Sequence, residues 1–134
     1  MKHFMLIAVM FLSLTVAIPS SAFAGKKRDA RVAYVLKNLR LKKDVQEKFR
    51  PILDAYLKEL GDLKDPYKKL KNSLEDAINA NKLTAAQCDN LFETKQKQEE
   101  KEPALNRKYY AKFKTVLTAQ QAYKAMKLSD DKIE

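Results

Sequence analysis

Residues 43–60 read KDVQEKFRPILDAYLKEL, and this stretch carries the clearest structural pattern in the 134-residue chain. Its apolar side chains recur every three or four positions. They are Val45, Phe49, Ile52, Leu53, Tyr56, Leu57 and Leu60. This spacing puts them on one face of an α-helix, with the charged residues elsewhere around its circumference. The stretch therefore predicts an amphipathic helix from about Lys43 to Leu60.

Proline and glycine near this stretch predict where the helix bends and ends. Pro51 lies within the apolar face, and a proline there removes a backbone donor and crowds the preceding turn, so we expect a kink. Gly61 is well placed to end the helix. Asp65 and Pro66 suit the N-cap and the first helical position, so they predict that a new helix begins there.

The same spacing of apolar residues predicts helices on either side of this one. We expect a first helix over about 29–38 and a third from 65 to about 78, followed by a turn at 79–81. A fourth begins at 84 and extends as far as 116. A short last helix begins at 118, and the polar tail from Ser129 is expected to fray.

One part of the predicted fourth helix has no apolar residue, namely 93–102. This part cannot contribute to a hydrophobic core. Two interpretations remain open: a solvated stretch of one long helix, or a break before Pro103.

The composition indicates an all-α protein. Glycine occurs only twice in the chain, whereas lysine, leucine, alanine, glutamate and glutamine, all good helix formers, are abundant. Few turns that need a positive φ can be built from so little glycine. We therefore predict four to five amphipathic helices.

The first 24 residues have the pattern of a cleavable signal peptide. Lys2 supplies a positive charge, 4–16 form an almost unbroken apolar run, and 22–24 (Ala-Phe-Ala) provide small residues for cleavage. The run is shorter than the roughly 20 residues that a membrane-spanning helix needs, so we expect no stable membrane anchor. The sequence thus predicts a signal peptide over 1–24 and a single helical domain over 25–134.

The chain is strongly basic, with a formal net charge of +10. Such a charge suits an acidic protein, an anionic membrane surface or nucleic acid, or it serves solubility alone. Export argues against nucleic acid, so acidic protein partners, an anionic membrane surface and solubility alone remain as explanations of the charge.

Reactive residues are scarce. His3 is the only histidine and lies in the predicted signal peptide, and no nucleophile motif or glycine-rich phosphate loop is present. We therefore predict no enzyme activity, no catalytic residue, no metal site and no cofactor. Cys88 is the only cysteine. We expect it to be a half-buried free thiol rather than part of an intermolecular disulfide.

Two short segments match each other: residues 83–87 read LTAAQ and residues 117–121 read LTAQQ. In a pattern Leu-Thr-x-x-Gln, the threonine hydroxyl accepts a hydrogen bond from the glutamine amide, and the glutamine side chain accepts one from the threonine amide. This is a capping box, so each segment predicts the start of a helix. The preceding leucine can pack against the fourth helical residue. The predicted capping residues are Leu83, Thr84, Gln87, Leu117, Thr118 and Gln121.

These paired motifs in an exported, basic, helical chain resemble the Spy/CpxP family of periplasmic proteins, which carry paired LTxxQ motifs. Residues 41–45 occupy the place of a further, degenerate copy. Residues 49–51 (Phe-Arg-Pro), followed by Tyr56, resemble members of this superfamily more than its type proteins. The resemblance covers most of residues 29–128.

The resemblance implies an elongated, curved, hairpin-type domain that forms a homodimeric cradle in the Gram-negative periplasm. It also implies a function as an ATP-independent holdase chaperone for unfolded or stress-damaged envelope proteins. The alternative is an accessory regulator that binds the sensor domain of an envelope-stress signalling protein. A homodimer also suits the residues themselves, because a few amphipathic helices without disulfides have a limited core.

Several basic and aromatic residues are candidates for contact with a client or partner. Basic residues cluster near the predicted mature N-terminus, three lysines share a helix face, and one tyrosine cannot share the face of its neighbour Tyr109. An ordinary solvated or packed helix face is the competing interpretation for each. The candidates are Arg28, Arg31, Tyr34, Lys64, Lys68, Lys71 and Tyr110.

Overall fold

A computed structural model describes residues 25–131, so the predicted signal peptide and residues 132–134 lie outside the described residues. Every regular element in the described part is helical, which confirms the all-α prediction. The helices are α1 (25–39), α2 (Lys43–Ser73), α3 (Glu75–Asn79), α4 (Ala85–Phe113) and α5 (Ala119–Asp130). None of the helices in this range is both long and apolar enough to cross a membrane.

Two long helices, α2 and α4, form an antiparallel hairpin. They contain 31 and 29 residues, so each is about 45 Å long at 1.5 Å per residue. At one end Phe49 meets Phe113 edge-to-face, with ring centroids 4.9 Å apart. Towards the other end the Lys95 ammonium lies 4.9 Å from the centre of the Tyr67 ring.

The hydrophobic core lies at only one end of this hairpin, which we call the core end. There α1 and α5 join the beginning of α2 and the end of α4. The buried apolar side chains are Val32, Val35, Leu36, Leu39, Phe49, Leu53, Tyr56, Leu60, Tyr109, Phe113, Leu117, Ala122, Ala125 and Leu128.

The other end of the hairpin consists of residues 61–97, which we call the distal arm. It contains the second half of α2, all of α3 and the beginning of α4, and none of its side chains is buried. Because α1 and α5 do not extend over it, the distal arm is essentially a pair of helices without a third layer.

The predicted end of the second helix at Gly61 and restart at Pro66 are wrong, because α2 continues through both residues to Ser73. Gly61 does not take a positive φ, so its backbone remains compatible with the helix. Both residues are exposed, and contacts between α2 and α4 hold the helix on either side of them. Helix propagation across one missing hydrogen bond is less costly than nucleating a new helix.

The chain reverses direction at the tip of the distal arm. A break at Leu74 separates α2 from the short α3, so the predicted third helix over 65–78 is not a separate continuous element. The predicted turn at 79–81 is present, with Asn81 at φ 57°. The amide of Lys82 donates to the Ala77 carbonyl at 2.8 Å, and the amide of Asn81 donates to the Ile78 carbonyl at 3.1 Å. These bonds form a Schellman motif in which asparagine takes the position that glycine usually fills.

The fourth helix is continuous through residues 93–102 and through Pro103, so the interpretation as one long helix is confirmed. One residue of this polar stretch departs from the expectation that it lies outside the packed interior. Gln98 has only 6% of its surface exposed. The interior between α2 and α4 therefore contains a polar side chain as well as apolar ones.

The predicted fraying from Ser129 is wrong for the described residues, because α5 continues to Asp130. Ser129 is buried, and its hydroxyl donates to the Ala125 carbonyl at 2.7 Å. The Arg31 guanidinium donates to the Leu128 carbonyl at 2.9 Å. Contacts from α1 thus hold the last turn of α5, and a polar composition alone did not reveal them.

Candidate functional site

Both Leu-Thr-x-x-Gln segments form capping boxes, as predicted. The amide of Gln87 donates to the Thr84 hydroxyl at 3.1 Å, and the amide of Thr84 donates to the Gln87 side chain at 2.9 Å. At Thr118 and Gln121 the corresponding distances are 3.1 and 3.0 Å. A cap of this kind stabilises a helix by about 1 kcal/mol, so these residues position α4 and α5.

The two capping boxes lie in different surroundings. Leu117 and Ala122 are both part of the hydrophobic core, so the second box fastens α5 to the core end. The first box lies at the tip of the distal arm, where Leu83 is half-buried and Cys88 is exposed. The expectation that Cys88 is half-buried is therefore wrong, because no helix covers the beginning of α4.

The predicted contact residues of the first helix make contacts within the chain. Arg28 Nε pairs with Asp54 Oδ1 at 3.0 Å, which joins α1 to α2. Arg31 joins α1 to α5 through Leu128, as described above, and its guanidinium carbon is 5.7 Å from the Tyr34 ring centre. Tyr34 is half-buried against the core. These three residues hold the helices of the core end together.

The three predicted lysines of α2 have different surroundings. Lys68 and Lys71 are exposed on the distal arm, whereas Lys64 is half-buried. Lys64 and Tyr110 both line an open groove of about 480 Å³ between α2, α4 and α5. The structure thus brings together two of the predicted contact residues that lie far apart in the sequence.

This groove, which we call the junction groove, lies at the base of the distal arm. Tyr56, Leu60 and Lys64 line it from α2, at the spacing of successive helical turns. Its lining from α4 includes Tyr110 and Arg107. The remaining wall comes from α5, through Tyr123, Met126, Lys127 and Asp130. Aromatic, apolar and cationic side chains therefore surround one cleft.

A hydrogen bond at the inner wall of the groove orients Tyr56. Its hydroxyl donates to Asn106 Oδ1 at 2.6 Å. Burial, with smaller contributions from the carboxylates of Asp130 and Glu102, raises the pKa of Tyr56 to about 12. The phenol therefore remains a neutral donor at physiological pH.

A second buried tyrosine links α4 to α2 beside the groove. The Tyr109 hydroxyl donates to Glu59, whose other carboxylate oxygen lies 3.3 Å from the Lys108 ammonium. Burial and the bond to Glu59 raise the pKa of Tyr109 to about 12. The same bond is the main reason that the pKa of Glu59 is lowered. These contacts set the register of the hairpin.

Gln98 is a polar residue that the sequence did not single out. Its side-chain amide donates to Glu102 at 2.9 Å, and Glu102 lines the junction groove. The Gln98 carbonyl oxygen is buried and has no hydrogen-bond partner within residues 25–131. A glutamine in a charged run carries no signal of burial, so only the packing of α4 against α2 reveals it.

The groove residues on α5 were also missed in the sequence. Tyr123 lies on α5, and 61% of its surface is exposed. The only signal in the sequence is that Tyr123 follows Ala122 directly, because adjacent helical residues do not share a face; the structure buries Ala122 and leaves Tyr123 exposed. Lys127, one turn later, lies 6.0 Å from the centre of the Tyr123 ring.

Across residues 25–131, no three His, Cys, Asp or Glu side chains converge in a way that could hold a metal ion. Comparison with family models, curated proteins and solved structures returned no match. The resemblance to the Spy/CpxP family therefore stays a prediction that rests on the paired motifs.

Proposed function

We propose that this protein is a periplasmic, ATP-independent holdase that binds unfolded or stress-damaged envelope proteins and prevents their aggregation. The observation that carries the proposal is the distal arm, a helical pair whose apolar side chains have no covering layer. From residue 61 to residue 97 no side chain is buried, although the segment contains leucines, an isoleucine and aromatic residues.

The surface of the distal arm combines apolar and basic groups. Phe92 has 61% of its surface exposed, and Leu70, Leu74 and Leu91 are only half-buried. A contiguous exposed apolar surface marks an interaction site, and we propose the uncovered apolar side chains of the distal arm as such a surface. Unfolded chains present apolar side chains, so the distal arm offers a complementary surface for them.

The charge of the chain supports the same proposal. A net charge of +10 over the whole chain attracts acidic segments over long range. The signal peptide predicted over 1–24 and the paired capping motifs agree with a role in the periplasm.

An aggregation assay tests the proposal. The purified protein, mixed at near-stoichiometric ratio with an aggregating client and without ATP, should suppress light scattering. Phe92→Ser should weaken the suppression several-fold, because it removes the most exposed apolar ring of the distal arm. The matched control is Ala111→Ser, at an exposed position of the same helix outside the distal arm.

Failure to suppress aggregation of several unrelated clients would refute the holdase proposal. If a pull-down from envelope extract then recovered one tightly bound signalling protein, the accessory-regulator alternative would replace it. Binding only to acidic vesicles, lost at high salt, would instead indicate a membrane-surface protein.

The proposal includes a homodimer, in which a second copy buries part of the apolar surface that a single chain leaves uncovered. Light scattering of the purified protein should give the mass of two chains. A monomer at micromolar concentration would contradict this part of the proposal without affecting the aggregation assay.

A further inference from the structure

We infer that the junction groove is a binding site for short client segments in which an aromatic or large aliphatic side chain lies next to carboxylates. The inference deepens the proposed function and rests on it for the identity of the occupant as a peptide. The groove lies where α5 ends and the uncovered distal arm begins, so an extended chain bound to the arm can continue into it.

The groove has room for one or two large side chains. Its volume of about 480 Å³ lies within the range of small-ligand sites. Leu60, Met126, Tyr110 and Tyr123 all line it. Tyrosine rings make rigid contacts that suit varied peptide side chains.

Three cations reach the groove, one from each of its helices: Lys64, Arg107 and Lys127. Within residues 25–131 none of the three forms an ion pair. The groove also contains two carboxylates, and that of Glu102 already accepts a hydrogen bond from Gln98. The lining therefore has an excess of positive charge, which favours an anionic group on the occupant.

Charge also distinguishes among possible occupants. The excess of positive charge in the groove disfavours a second, equally basic copy at this site, so the proposed dimer contact lies elsewhere on the uncovered apolar surface. An acidic segment with a large apolar side chain can pair its carboxylates with the three cations and pack its apolar group against the tyrosine rings. We therefore assign the groove to a client segment rather than to a dimer contact.

Fluorescence anisotropy with three labelled peptides of equal length tests the inference. The first has phenylalanines flanked by aspartates, the second has the same phenylalanines flanked by lysines, and the third has serines flanked by aspartates. The first peptide should bind about tenfold more tightly than either of the others, because only it can both pack against the tyrosine rings and pair with the cations.

Two exposed residues of α5 provide the test variants. Tyr123→Ser should weaken binding of the acidic phenylalanine peptide about tenfold, as expected for loss of an aromatic anchor. Lys127→Gln should weaken it about threefold, the effect of one exposed charge pair. The control, Lys124→Gln, removes the same charge from the same helix outside the groove and should leave the affinity unchanged.

Equal binding of the acidic and basic peptides, or equal affinity in Tyr123→Ser and the wild type, would overturn the assignment of the groove. If the wild type still suppressed aggregation, the holdase proposal would survive that result. Conversely, selective peptide binding without any suppression of aggregation would refute the holdase proposal and leave the groove assignment in place.

Discussion

Phe113 lies in a cluster of aromatic rings within the core end. It is fully buried and contacts three other rings, with centroids 4.9 Å from Phe49, 5.6 Å from Tyr56 and 6.5 Å from Tyr109. These rings belong to α2 and α4, so the cluster closes the hairpin at this end. Offset and edge-to-face ring pairs add to the stabilisation that burial provides.

Replacing Phe113 with alanine should lower the free energy of unfolding by about 3–5 kcal/mol, because the change leaves a cavity among the rings. The measurement is urea denaturation followed by circular dichroism. Phe92→Ala, which removes the same atoms from an exposed position, should change the free energy by about 0.5 kcal/mol or less. Equal losses in the two variants would contradict the assignment of the core to one end.

The bond between Tyr109 and Glu59 predicts how stability depends on pH. The pKa of Tyr109 is raised to about 12 from an ordinary 10. Its contribution to the free energy of unfolding is therefore complete below pH 10 and is lost as the pH rises towards 12. The pKa of Glu59 is lowered from 4.5. Its contribution to the free energy of unfolding is therefore complete above pH 4.5 and is lost as the pH falls through the lowered pKa. Tyr109→Phe should reduce both losses, measured as unfolding free energy against pH.

The control for this experiment is Tyr123→Phe, which removes a hydroxyl from an exposed ring that has no such bond among the described residues. Its pH profile should match that of the wild type. A profile for Tyr109→Phe that also matched the wild type would show that the bond to Glu59 does not stabilise the fold. Tyr56, whose pKa is also about 12, contributes to the alkaline loss in all three proteins.

At the scale of elements, the continuity of α2 is the feature that local patterns predicted least well. Gly61 and Pro66 are standard signals for the end and the start of a helix, yet α2 passes through both. The face pattern over 43–60 and the two capping boxes were predicted correctly, because each depends on residues within one or two turns. Helix continuity depends instead on α4, whose contacts with α2 lie outside any local window.

The helical state of Gly61 predicts that Gly61→Ala stabilises the protein. The added methyl group would have no heavy atom within 4 Å outside its own helix and chain neighbours, and φ is not positive. Alanine should therefore raise the free energy of unfolding by about 0.5–1 kcal/mol. Chemical denaturation measures the change, and destabilisation would indicate that the helix breaks at this residue.

At the scale of the whole molecule, the chain is divided between a packed core end and an uncovered distal arm. Among residues 25–131, all 14 buried apolar residues lie outside the distal arm. The groove assigned to client segments lies at the boundary between the two parts. The core end thus supplies the packing that stabilises the fold, whereas the proposed binding surfaces are the distal arm and the groove at its base.

This division predicts a gradient of hydrogen exchange along α4. Amides of residues 88–97, in the distal arm, should exchange through local openings of low free energy, because little apolar surface must be exposed to open them. Amides of residues 105–113 should exchange only through global unfolding. Uniform protection along α4 would contradict the gradient and would indicate that the second copy of the proposed homodimer covers the arm itself, instead of leaving it open to clients.

The sequence by itself determined the all-α class, the apolar face of 43–60 and both capping boxes, because helix periodicity and capping involve residues only three or four positions apart. The tertiary structure alone decided that α2 continues past Gly61, that Gln98 is buried and Tyr123 exposed, and that Lys64 and Lys127 line one groove. These features depend on contacts between helices that are distant in the chain, and no local pattern records which face of a helix its partner covers.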